Sequence, residues 1–454
     1  MAMMRVGSCG GWRFGLAVGL AGVRGVATER SRMSALGVQV LEASGAKARG
    51  GHVEEARGLL EHGAALCARS VGEFHPDTVR VCVERARLGW ALGRGEEAAE
   101  ALEALRSAGG GWGAAALAEG GGAAAGALLA HEALAHVLLM EGRSDEALAL
   151  AREVVDGCGD RPGLLAVRAH GLHGLLSHAA HSHGALGNHE WMAEQAFTRC
   201  VEAWRAAHGA EAEAEAEAAG EEEGGGPEGD LYAAACVADA AVFHAGKAGG
   251  AEAAAQTWVP LLRDAAGVAQ GALGGGQGAG TMPPSPSGDP EATAAAVLAL
   301  TAQATAQLGG AQRDLDDEEA LLGRCLASVT GEARGGSPEQ PPGRVAAALG
   351  LVGVHHDGPR ESPVVGEGLL RSALKAARTR DAFSDGLVRA WACARLADLL
   401  DRRYDTRATE ADALRAEAAE HWPEGDGSRF GANALLHVRV PWPLLPSTGA
   451  GWWC

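Results

Sequence analysis

Residues 51–102 read GHVEEARGLLEHGAALCARSVGEFHPDTVRVCVERARLGWALGRGEEAAEAL, and the stretch repeats itself. A glycine, two residues and Glu-Glu-Ala open it at Gly51 and recur at Gly93, 42 residues later. A third copy runs from Leu134-Ala135-His136-Val137-Leu138 into Gly142-Arg143-Ser144-Asp145-Glu146-Ala147. Apolar residues fall at i, i+3 and i+4 on both sides of each glycine, which is the helical period, and the glycine marks where one helix stops and the next begins. Each unit therefore reads as a helical hairpin. One hairpin cannot bury its own apolar stripe, so neighbours must stack.

Between the first two copies lies Gly72-Glu73-Phe74-His75-Pro76-Asp77-Thr78, with Pro76 placed for the first turn of a helix, where its missing N–H removes no bond. The Leu134-Ala135-x-Val137-Leu138 pattern, the Gly-x-x-Glu-Glu-Ala corner and this linker together resemble the tetratricopeptide repeat, and most closely the longer-period variety of kinesin light chains. The resemblance covers residues 43 to about 156, extends to 208 and is architectural beyond. It implies an all-α chain: a right-handed α-solenoid of about eight hairpins whose concave groove takes peptide segments. Kinesin light chains carry an Asn-Asn pair before the Leu-Ala of the first helix and grip ligand backbone with it. Here Val83-Glu84 and Glu132-Ala133 stand in that place.

Outward from these copies, a fourth hairpin is expected over 161–208 with its turn at Gly187-Asn188. The acidic stretch AEAEAEAEAAGEEEGGGPEGD follows, without an apolar face, and residues 209–230 read as a disordered linker. Degenerate hairpins resume over 231–422, near 231–266, 291–332, 343–380 and 382–422, interrupted by the Gly/Pro/Ser loop GALGGGQGAGTMPPSPSGDP. Ser362-Pro363 forms a cap and first-turn pair, and Leu396-Ala397-x-Leu399-Leu400 repeats the pattern at Leu134. The tail, residues 423–454, holds HVRVPWPLLPSTGAGWWC and is expected to be extended, because two prolines flank Trp442.

Residues 1–26 contain Arg5, Arg13 and Arg24 and no acidic residue, as organelle transit peptides do, with Arg24 three residues before Ala27. The expectation is a mitochondrial presequence, with a plastid second and secretion or an uncleaved cytosolic N-terminus third. The 454 residues carry a net charge of −19, leaving −22 for the remainder. Such a body repels phosphates, so no nucleic-acid contact is expected. No segment has the apolar length of a membrane span. Aromatic residues make up 4 % and glycines number 68, which fits small-residue helix packing better than a large β core. Nine cysteines lie scattered without a C-x-x-C pair, and Cys67, Cys82, Cys200, Cys325 and Cys393 read as buried thiols.

Signatures of chemistry are absent: no G-x-S-x-G, no H-E-x-x-H, no G-x-x-x-x-G-K-[ST]. The Gly274-x-Gly276 pair lacks a preceding strand and reads as linker. No enzyme activity and no cofactor are implied. His170, His173, His178 and His181 share an arc of roughly 140° at about 100° per residue, opposite Leu165, Leu172, Leu175 and Leu176, and so are expected outside the core. They could hold a divalent metal only with ligands from a neighbouring helix. A solvated or groove-lining face is the simpler reading.

Six residues before Gly93, Gly142, Gly187 and Gly250 stand Arg87, His136, His181 and His244. In tetratricopeptide folds that position looks into the groove, so the resemblance implies that these four bind protein. Unperturbed histidine titrates near about 6.5, so the groove is expected to become cationic below about pH 6 and to prefer acidic segments. The leading expectation is a non-enzymatic adaptor in an organelle that binds protein or peptide partners. The alternative is an architectural subunit of a large organellar assembly, such as a ribosome or respiratory complex.

Overall fold

The computed structural model describes residues 35–49, 52–92, 94–107, 121–141, 143–159, 163–182, 187–208, 227–248, 252–274, 315–330, 342–357, 360–378 and 383–421. All of them belong to the unit Met33–Cys454. They form helices α1 (Ala35–Arg49), α2 (Val53–Val71), α3 (Pro76–Ala91), α4 (Gly95–Ser107), α5 (Gly121–Met140), α6 (Ser144–Cys158), α7 (Leu164–Ser182) and α8 (His189–Ala207). There follow α9 (Pro227–Ala248), α10 (Glu252–Gly274), α11 (Leu315–Thr330), α12 (Pro342–Asp357), α13 (Pro363–Ala377), α14 (Phe383–Arg403), a 3₁₀ turn at Asp405–Arg407 and α15 (Ala408–His421). No strand occurs among the described residues.

The corners explain why the chain turns where it does. Gly72 adopts φ +106°, a conformation that side chains resist, and its carbonyl accepts a bond from the Thr78 hydroxyl at 2.8 Å. Pro76 opens α3, and the His75 ring caps it by accepting from the Asp77 amide at 3.3 Å. Two bonds of the corner after α3 recur in the corner after α5. Arg94 N donates to Gly89 O as Arg143 N donates to Leu138 O, and Ala98 N donates to Arg94 O as Ala147 N donates to Arg143 O. Ser362 does stand before Pro363 at the start of α13, but its hydroxyl donates to the Arg360 carbonyl at 3.2 Å and does not cap the helix.

Consecutive helices pack as pairs: α1 on α2, α3 on α4, α5 on α6, α7 on α8, α9 on α10, α12 on α13 and α14 on α15. First helices also stack on first helices, α1 on α3, α3 on α5, α5 on α7, α7 on α9 and α12 on α14. One connected cluster of buried side chains runs from Leu41 to Ala392, with Trp90, Trp204, Trp391 and Phe197 among its largest fully buried members. Small residues let the helices approach. A Cβ on Gly174 would lie 2.7 Å from the Phe197 ring, and one on Gly350 would lie 2.3 Å from the Trp391 ring.

Second helices are joined across hairpins by polar contacts that keep nearly one spacing. Arg94, just before α4, reaches Glu54 of α2, 40 residues back. Arg106 of α4 bonds Glu153 of α6 at 2.8 Å across 47 residues, and Arg360 bonds Asp316 of α11 at 2.5 Å across 44. Between α13 and the α15 region, Arg407 meets Glu367 at 2.8 Å across 40 residues, and Arg371 meets Glu410 at 2.5 Å and Arg378 meets Glu417 at 2.5 Å across 39. The Arg378 and Arg389 guanidiniums hold the Glu417 carboxyl down to about 2, against the opposing effect of burial.

Two boundaries differ from expectation. The helix expected from 231 begins at Pro227, inside the linker assigned to 209–230. Helix α10 continues through Gly271–Gly274, which the sequence assigns to a loop, because buried Ala265, Ala266 and Ala269 hold its last turns in place against the low propensity of glycine. Of the hairpin expected at 291–332, only α11 is described. The presequence at 1–26, the linker up to residue 226, the loop beyond Gly274 and the tail at 423–454 lie outside the described residues. Cys67, Cys200 and Cys393 are buried free thiols as expected, Cys158 is buried as well, and Cys82 is half-buried.

Candidate functional site

The face to weigh is the one carried by the first helices, where the spacing places Arg87, His136, His181 and His244. Arg87 lies near the end of α3 and is almost wholly buried. Its Nη1 meets the Glu84 carboxylate at 3.2 Å, with side-chain exposures of 5 % and 2 %. Glu84 stands where kinesin light chains have asparagine, and one helical turn later Arg87 supplies its counter-charge. Glu132 of α5 holds the other of the two places, aligned with Val83, and is paired across the stack: Arg168 of α7 donates Nε to it at 3.0 Å and Nη2 at 2.5 Å. The two carboxylates at the expected ligand-gripping positions are thus matched inside the protein.

His136 lies half-buried on α5. Burial, and then the Arg87 guanidinium, push its pKa down to about 3. The first two members of the expected ladder therefore sit within electrostatic reach of each other. His136 stays neutral between pH 7.5 and 6, so it cannot supply the cationic groove expected there; a ring taken from water beside a fixed positive charge resists a proton.

The third member is displaced. Arg87, His136 and His244 each stand four residues before the end of their helices at Ala91, Met140 and Ala248; in α7, ending at Ser182, that place belongs to His178. Counting back from Gly187 leads to His181 because Gly187 stands five residues beyond the last described residue of α7, whereas Gly93, Gly142 and Gly250 stand two beyond those of α3, α5 and α9. Helix ends scatter by one or two residues, so an offset of three changes the assignment. His181 falls in the last turn of α7, and its side chain lies outside what the structure describes.

His178 and His244 belong to one aromatic group. The His178 ring meets Phe243 of α9 edge-on at 5.1 Å, Phe243 meets Phe197 at 5.1 Å and His244 at 5.2 Å, and His244 stacks on Trp258 of α10 at 4.7 Å. His170 and His173 are half-buried, so the described histidines of α7 are only partly open to solvent. Burial, then Arg152 of α6, push His173 down to about 4. Among the described residues no three His, Cys, Asp or Glu side chains converge as a metal site.

Burial pushes the Cys67, Cys82 and Cys236 thiols up and holds Cys393 at about 12, with Cys200 likewise raised, so these five are not thiolates at neutral pH. Among the described residues no helix is long and apolar enough to cross a membrane. The spacing marked neither Arg168 nor Trp258, and it gave no sign that Glu84 and Glu132 are paired inside the protein. A local Glu-x-x-Arg signal could have found the Glu84 pair, but nothing local marks Glu132 and Arg168, which meet across 36 residues. No protein-family model matches the chain, and no curated protein matches it in sequence.

Proposed function

We propose that this chain is a non-enzymatic interaction scaffold whose helical hairpins build a right-handed α-solenoid of the tetratricopeptide kind, and that protein or peptide segments bind along the face of its first helices. The observation that carries this reading is the equivalence of Arg87, His136, His178 and His244, counted from helix ends, on first helices that stack on one another. A cross-hairpin pairing spacing near 40 residues, repeated from Glu54–Arg94 to Arg371–Glu410, fits a regular array. A photo-crosslinking residue at Arg85, half-buried on α3, is compared in extract of the source cells with one at Glu97, exposed on α4. Crosslinks to a defined protein from position 85 alone support the groove. Equal labelling from both positions removes it.

The acid-free, arginine-bearing start further supports an organellar, first a mitochondrial, location. N-terminal sequencing of the mature protein then finds a start near Ala27, and an intact Met1 sinks that assignment. A second reading, a fixed subunit of a large assembly, is favoured by one feature. The starts of second helices α8 and α13 carry exposed apolar residues, Trp191 at 61 %, Val364 at 76 % and Val365 at 48 %. The matching places in α4 and α6 hold Glu96-Glu97 and Asp145-Glu146.

A further inference from the structure

Helix α14 carries the Leu396-Ala397-x-Leu399-Leu400 pattern that matches Leu134-Ala135-x-Val137-Leu138, so Arg395 and Asp398 occupy the repeat places of Glu84 and Arg87 with the charges exchanged. In α3 the two charges pair. In α14 they do not, because Asp398 is engaged elsewhere: Arg402 reaches its Oδ2 with Nε at 2.8 Å and with Nη2 at 2.7 Å. Arg395 is left half-buried, with no carboxylate in ion-pair distance among the described residues and with an Nε–H that is sealed from solvent and makes no hydrogen bond. Its guanidinium lies over the Trp391 ring, 5.9 Å from the centroid. The indole is itself buried, with its own N–H unpaired, and is seated against Gly350 of α12, where no side chain fits.

A guanidinium taken partly out of water without a counter-charge costs free energy, and burial accordingly presses the Arg395 pKa below the ordinary arginine value. The aromatic platform returns a part of that cost and fixes the plane of the fork. A planar fork held in place is matched by a carboxylate, which accepts two parallel bonds.

We infer that Arg395, held over Trp391, binds a carboxylate of the partner segment. This deepens the groove reading and rests on it for its biological use, but the anion site itself can be tested on the purified chain. The full-length protein, labelled with nitrogen-15, is titrated with sodium acetate and, at matched ionic strength, with sodium chloride. The reporters are the Nε–H signals of Arg395 and the indole N–H of Trp391.

Acetate is expected to shift both signals saturably and chloride neither. Arg395→Gln should abolish the Trp391 response, and Arg395→Lys should raise the acetate dissociation constant by about tenfold, since the charge remains and the fork is lost. Arg402→Gln should also weaken binding, because Asp398 is released to pair with Arg395. Melting temperatures identify any variant that fails to fold, and the conservative lysine variant then carries the test. An equal response to chloride, or an acetate response of Trp391 that survives Arg395→Gln, overturns the site. Acetate binding without crosslinks from position 85 leaves the site standing and removes the proposed function, and the reverse result does the opposite.

Discussion

At Arg87, a charge that the repeat spacing assigns to a binding groove is matched within its own helix. Removing it takes away the guanidinium that the buried Glu84 carboxylate meets at 3.2 Å. Breaking one side of such a pair costs about 3–5 kcal/mol, whereas replacing both sides with apolar residues of similar volume is close to neutral. Urea denaturation should therefore show a large loss for Arg87→Ala and a small one for the double variant Glu84→Leu, Arg87→Met. Equal losses would show that Arg87 acts through packing alone.

His136 sets a second expectation. Histidine in the unfolded chain takes a proton near about pH 6.5, but in the fold His136 does so near 3 and His173 near 4. Between those values the unfolded chain binds more protons, so stability that is complete above about pH 6.5 is lost as pH falls. From about pH 6.5 to 5 the loss should be on the order of 1–2 kcal/mol for each of the two. His136→Gln and His173→Gln should each flatten the fall, as read from urea midpoints. A pH dependence unchanged in both variants would exclude the buried rings as its source.

Between helices, shape decides more than charge. Ion pairs such as Arg371–Glu410 join neighbouring second helices, but at the surface each contributes about 1 kcal/mol or less and serves more to fix register than to hold the fold. Gly350 is different, because a methyl group there would meet the Trp391 ring at 2.3 Å. Gly350→Ala should cost about 1–3 kcal/mol by overpacking the contact between α12 and α14. Gly368, exposed on α13 with nothing within 4 Å of an added Cβ, should behave in the opposite way, and Gly368→Ala should gain about 0.5–1 kcal/mol from helix propensity. Thermal unfolding of the two variants checks the sign of each change. Both residues are mid-helix glycines in the sequence, and only the neighbour across the interface separates them.

For the molecule as a whole, the two functional readings differ in what the exposed apolar corners at Trp191 and Val364-Val365 do. Size-exclusion of native extract separates them: a free adaptor elutes near its own size, while a fixed subunit runs within a much larger particle. In the second case Trp191→Ser should release the protein from that particle, whereas in the first it should leave elution unchanged.

The helical class, the position of most corners and the hairpin pairing were legible without coordinates. They follow from a 3.6-residue apolar period, from glycine at corners such as Gly72 and from proline in a first turn, all of which act within a few residues. The Glu-Glu-Ala copies carried that signal even though the chain is rich in glycine throughout. The candidate site was legible only in part. Arg87, His136 and His244 keep their places when counted from the last described residues of their helices, whereas the same count in α7 gives His178 and not His181. The charge state of the face was hidden altogether. Whether Arg87 is a ligand-binding cation, or Arg395 an unmatched one, depends on which carboxylate lies within reach across a helical turn or a stack. Those distances are set by packing between segments, and burial then decides how far each proton is held.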